Sequence, residues 1–180
     1  MSDNDDVAGR ARAIATALAH ADPGERAAAR RMGPEGAAVF WRIVARQAIA
    51  PYEEERWRRI TKMLALLTPA SATESVHETG RYFGAVLADG GDARARLEKP
   101  ALSEQRLARL LAARGQKRLD ALERAVRALA RNRPKVDVPS LAWAVLNNES
   151  RALARAYYTR LDRRADSDTA DIAEKETTDG

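Results

Sequence analysis

Along most of this chain apolar residues return three and four positions apart, the spacing that lines one face of an α-helix. Ile14 and Leu18 mark the inner face of a first helix from about Val7 to Ala21. Asp22-Pro23 then supplies a cap and a first-turn proline for a short helix through Arg31, which Gly33-Pro34 ends. Val39, Phe40, Ile43 and Val44 predict a third helix over about Glu35–Gln47, and Trp57, Ile60, Leu64 and Leu67 a fourth over about Tyr52–Leu67. Past Thr68-Pro69, either Ser71–Glu74 or Ser75–Glu78 offers a capping box for a fifth helix through about Ala88. Asp89-Gly90-Gly91-Asp92 stops it.

The longest apolar stripe lies within Lys99–Arg131, where Leu107, Leu110 and Leu111 are followed by Leu119, Leu122, Val126 and Leu129. Ser103 is its natural cap, Gly115 is placed to split it in two, and Arg133-Pro134 terminates it. Asp137 followed by Pro139 opens another helix through about Leu146, and a last one from about Glu149 carries Leu153, Tyr157 and Leu161. Trp41, Trp57 and Trp143 fall on apolar faces, and Gly80 and Gly84 are expected inside the fifth helix, letting neighbours approach closely.

Alanine, leucine and arginine dominate, β-branched residues are sparse and no alternating run suggests a strand. The expected fold is therefore all-α, with seven to eight helices in two packed helical bundles. The irregular stretch from Asp89 to Pro100 is the candidate boundary. It divides the chain into an acidic N-terminal extension (1–6), an N-terminal bundle (7–92), a C-terminal bundle (93–164) and an acidic, Thr-rich tail (165–180) expected to be disordered.

With no cysteine the chain has no disulfide and no thiolate nucleophile, which fits a cytoplasmic protein. The opening MSDNDD reads as neither a secretory signal nor a transit peptide. No apolar run approaches the roughly 18 residues that a spanning helix needs, so no membrane partner is expected.

The net charge of +5 conceals an uneven distribution. Residues 165–180 hold six acids and one lysine, and residues 1–6 hold three aspartates, so the body from 7 to 164 carries +13. Of the 31 basic residues 26 are arginine, the better fork for phosphate oxygens. They cluster as Arg26, Arg30 and Arg31; as Arg56, Arg58, Arg59 and Lys62, with Arg81 following; and as Arg106, Arg109, Arg114, Lys117 and Arg118, with Arg124, Arg127 and Arg131 on one face of the helix beyond. Any single one reads as a solvated helix face or an ion pair with Glu104, Asp120 or Glu123. Together they imply a positive surface suited to a polyanion.

Signs of catalysis are missing from this pattern. His20 and His77 stand in separate elements, and His77-Glu78 lacks the second histidine of the helical zinc motif. Glu53-Glu54-Glu55 points three ways around a helix start, where its charge suits the dipole. No GxxxxGK[ST], GxGxxG or GxSxG occurs, so no enzyme activity and no cofactor are expected. The tryptophans do not form a stacking platform and no polar recognition helix stands out, which favours backbone contact over base reading.

The order of several segments resembles the CasB family, the small subunit of the type I-E CRISPR surveillance complex, Cascade. The matching pieces are GERAAARRMG (Gly24–Gly33), VFWRI around Phe40-Trp41, TGRYFGAVLA (Thr79–Ala88), SEQRLARLLAARG (Ser103–Gly115), LDALERAVRALA (Leu119–Ala130), VDVPSLAWAVL (Val136–Leu146) and RALARAYYTRL (Arg151–Leu161). The acidic tail is not part of the resemblance. The resemblance implies a non-catalytic all-α subunit, present in two copies head to tail, that touches the other Cascade subunits and the guide RNA and helps hold target DNA, single-stranded or in the R-loop. On that reading Arg26, Arg30 and Arg31 form one phosphate-contacting group, Arg106, Arg109, Arg114 and Arg118 another, with Arg56, Arg59 and Arg81 as further candidates. Two alternatives stand beside it: a structural assembly module whose basic faces meet acidic proteins, and a free-standing helical DNA-binding regulator.

Overall fold

A computed structural model describes residues 3–70, 74–94, 97, 99–147 and 150–162. They form helices α1 (Asp3–His20), α2 (Pro23–Arg31), α3 (Ala38–Gln47), α4 (Glu54–Leu67), α5 (Phe83–Asp89), α6 (Glu104–Ala112), α7 (Gly115–Leu129), α8 (Val138–Leu146) and α9 (151–162), with a 3-10 turn over Ala130–Asn132. No strand occurs among the described residues, and the fold is all-α. The Ser71–Glu74 box, the start of the last helix at Glu149 and the tail 165–180 lie outside the described residues.

Three of the predicted caps are made as expected. The carboxylate of Asp22 accepts from Glu25 N at 2.8 Å, Ser103 Oγ from Arg106 N at 3.4 Å and Asp137 from Ser140 N at 3.1 Å, each satisfying a first-turn donor. Gly115 does divide α6 from α7. α1 starts earlier than expected, at Asp3, and within it Asp6 pairs with Arg10 at 3.0 Å one turn on.

Two starts fall later than the periodicity predicts. α3 begins at Ala38 because Gly33–Gly36 closes a turn in which Gly36 takes φ +77° and the Glu35 carboxylate accepts from Gly33 N. α5 begins at Phe83, not near Ser75, so Gly80 lies outside any helix with φ +79° and nothing packed against it. The segment before α5 pairs instead with the entry to α8. Val136 N donates to Val76 O (2.9 Å), Glu78 N to Val136 O (3.0 Å) and Asp137 N to Arg81 O (2.7 Å). A second helix turn there would forfeit these bonds. Gly84 does mark a close crossing, since a Cβ on it would run into the Leu153 carbonyl of α9.

α4 is the central element, packed by α1, α2, α3, α7 and α8, and its Trp57, Ile60 and Leu64 are fully buried. α8 carries no charge, is apolar nearly all round, and accordingly sits inside, against α1 and α4. The buried residues thus form one core from Ala11 to Tyr157, shared by the N- and C-terminal halves. Trp41 is a correction: it is 45% exposed, one residue round the helix from buried Phe40, with its Nε1 donating to Glu35 O at 3.0 Å. Trp143 is half-buried.

Candidate nucleic-acid interface

Helices leave their last four carbonyls without partners, and in this fold many arginines go to them. Arg26, on α2, is buried and donates to Ala19 O near the end of α1 (3.3 Å) and to Ala70 O past the end of α4 (3.0 Å). Arg30, one turn on, donates to Ala65 O (2.9 Å) and Thr68 O (3.0 Å) at the same end of α4. Arg56 reaches Leu146 O at the end of α8 (3.1 Å), and Arg58 reaches Gly33 O (3.0 Å). Arg114, which precedes α7, folds back onto Leu111 O and Ala113 O at 2.7 and 2.9 Å.

Arg118 is the extreme case, at 1% exposure. Its guanidinium joins the ends of two helices, donating to Leu110 O of α6 (3.2 Å), Ala144 O of α8 (3.3 Å) and Ser150 Oγ (3.1 Å). Burial, then the positive charge of Arg114, lowers its pKa from the usual arginine value.

Two more of the singled-out arginines meet carboxylates. Arg59 bonds Glu123 at 2.5 Å and Asp120 at 2.9 Å, and the same Glu123 also receives Lys62 (3.0 Å) and Arg127 (2.9 Å). Burial pushes the Glu123 carboxyl up, but the hydrogen bonds from Lys62, Arg59 and Arg127 outweigh it and hold its pKa at about 2. Arg81 bonds Asp89 at 2.6 Å, whose buried carboxylate also takes Arg160 of α9 at 2.8 Å and Gly91 N at 3.0 Å. Six arginines, Arg26, Arg30, Arg56, Arg58, Arg114 and Arg118, thus bond main-chain carbonyls at or just past helix ends.

Exposure divides them differently: Arg56 and Arg114 remain exposed despite these bonds, as are Arg12, Arg46 and Arg133 elsewhere on the surface. Arg31, Arg106 and Arg109 are exposed, with no side-chain partner among the described residues. Lys117, Arg124 and Arg131 are exposed at seven-residue intervals, which stacks them in one row along α7 and its 3-10 extension, with Arg127 beside them. Arg124 and Arg127 also line a shallow cleft with Arg59, Asp120 and Glu123. α9 runs antiparallel alongside α6, since Ser150 Oγ bonds Leu111 O (3.1 Å) at one end and Tyr158 OH meets Glu104 (3.3 Å) at the other. That register brings the exposed Arg155 level with the middle of α6, beside the helix that carries Arg106 and Arg109. Arg155 is absent from the sequence candidates, although its place four residues after Arg151 in the Tyr-Tyr helix is a visible signal.

The arrangement is a helical body with exposed cations on several helices, α6, α7 and α9 among them, and no group of three or more His, Cys, Asp or Glu among the described residues that would hold a metal. No helix of the described residues is long and apolar enough to cross a membrane. Against known families, residues 25–164 match the one described as CRISPR-associated protein Cse2. The chain belongs to the Cse2 family. Neither the curated proteins nor the solved structures contain a significant match. Cse2, also called CasB, is the small subunit of type I-E Cascade, so this chain is a structural Cascade subunit whose partners include the other subunits of that complex. The span matched to Cse2 contains all ten arginines singled out from the sequence and stops before the acidic tail.

Proposed function

We propose that this Cse2 chain is a non-catalytic subunit that holds sugar-phosphate backbone without reading sequence and so stabilises the R-loop between guide RNA and target DNA. The observation that carries the reading is the pair Arg106 and Arg109 on α6, exposed and free of acids among the described residues. The row Lys117, Arg124 and Arg131 on α7 and the exposed Arg31 extend the cationic surface. Exchanging a DNA duplex for a heteroduplex is close to energetic balance, so a modest attraction for phosphate decides whether the loop persists. Arginines on packed helices suit that task, because little of their geometry has to be ordered on binding. Guide RNA, target DNA and a second copy of the chain are the partners of this reading.

The test is an assembled complex carrying Arg106→Ala and Arg109→Ala. Each phosphate no longer neutralised should lower the salt slope of target binding by about one, evenly across sequences, giving a drop of about two. An unchanged slope in an intact complex would overturn the assignment of these two residues. It would favour the assembly-module reading, which the 86% exposed Tyr52 and the exposed Trp41 support, since such aromatics are enriched at protein interfaces.

A further inference from the structure

We propose that the acidic segment 165–180 docks on the basic face of α6 and α9 in the free subunit, its carboxylates standing in for nucleic-acid phosphates. The inference rests on the reading of that face given under the proposed function, and adds to it an internal competitor.

The first support is charge. Asp166, Asp168, Asp171, Glu174, Glu176 and Asp179 face one lysine in this segment, while Arg106, Arg109 and Arg155 are exposed and lack acids against them among the described residues. The second is position. Tyr157 OH bonds Leu102 O at 2.6 Å and Arg160 reaches Asp89 and Ala93 O, so α9 ends beside the start of α6. The chain therefore continues from Asp162 next to the helix that bears Arg106 and Arg109. An extended chain covers up to about 3.3 Å per residue, so Asp166 to Asp171 come within about 13 to 30 Å of Asp162. α6 is only about 13 Å long at 1.5 Å per residue, which the segment overreaches comfortably. The third support is that the family match ends at residue 164, before the first of these acids.

Tethering makes weak ion pairs sufficient, because the segment is held at an effective concentration in the millimolar range. Exposed pairs are also the ones that salt and phosphate displace most readily. The free subunit, with a body charge of +13, is thereby kept from adhering to any nucleic acid it meets, while a correctly placed strand in the complex displaces the segment.

The experiment compares the full chain, a chain lacking 165–180, and a full chain with its six tail acids changed to Asn or Gln. Amide NMR shifts are read without nucleic acid, and affinity for a labelled random-sequence single strand is read by anisotropy. Removal or neutralisation of the tail should move amides of residues 104–112 and 151–162. It should tighten binding about fivefold near 50 mM salt, with the difference gone by about 200 mM. In an Arg106→Ala/Arg109→Ala/Arg155→Ala background, both the shift changes and the affinity gain should vanish. Unmoved α6 and α9 amides on tail removal would overturn the docking, whatever the affinities. So would a tightening that survives the triple substitution. Should the tail move α6 amides while neither chain binds the strand, even in the assembled complex, the docking stands and the nucleic-acid reading fails.

Discussion

A guanidinium that reaches the last turn of another helix acts as a cap delivered from a distance, and Arg118 does this for α6 and α8 together. Removing it takes the guanidinium donor from the Ala144 carbonyl and leaves the Leu110 carbonyl with Ala113 N alone. Arg118→Ala should cost about 3 kcal/mol by urea denaturation, whereas Arg106→Ala, at an exposed side chain with no partner among the described residues, should stay within about 0.5 kcal/mol. Equal effects would dismiss the division between internal and surface arginines. Glu123 supplies a pH test at the same scale. Its pKa is about 2 in the folded chain against an ordinary 4.5, so its contribution is complete above pH 4.5 and is lost as pH falls toward 2. That contribution is at most about 3 kcal/mol. Glu123→Gln should flatten stability between those two pH values, measured by denaturant midpoints. These pairings are only half legible in the sequence. Asp120 and Glu123 are visible there as candidate acids, but nothing in the spacing of residues shows that Arg26 faces the carbonyls of Ala19 and Ala70.

Among the elements, α9 depends on two features of α5. Gly84 lets the backbones cross where any side chain would meet Leu153 and Tyr157, and Asp89 bonds Arg160 with one oxygen and Arg81 with the other. The Asp89 carboxylate is fully buried, so Asp89→Asn leaves two guanidinium groups facing a neutral amide. We expect a loss of about 3 kcal/mol, with hydrogen exchange across residues 151–162 rising before that of α4. Uniform loosening of both helices would show that the clamp is not specific to α9. The short α5 also shows where periodicity misleads. Val76 is buried by pairing with Val136, sixty residues away along the chain, and no local propensity encodes it.

For the whole molecule, the placement of α8 against α1 and α4 joins the two halves of the chain through one core. Separate fragments 1–92 and 93–180 should each lack fixed near-UV dichroism and regain it on mixing, because Val138, Leu141 and Val145 of one fill the interior of the other. A folded fragment 1–92 by itself would show that the N-terminal half does not depend on α8. The electrostatics of the whole body likewise differ from the sum of its basic residues, since Arg59, Arg81, Arg127 and Lys62 are partly neutralised by Asp89, Asp120 and Glu123.

The sequence by itself determined most of the helices, their caps at Asp22, Ser103 and Asp137, the break at Gly115, most residues of the core and the family. All of these depend on spacing within a turn or two, or on the order of segments along the chain. Which arginines face water was decided by the tertiary structure alone. A guanidinium on one helix is taken up by the carbonyl ends or buried acids of another, and those lie from seven to ninety residues away along the chain. The charge of a residue is written in its side chain, but its availability depends on what packs beside it.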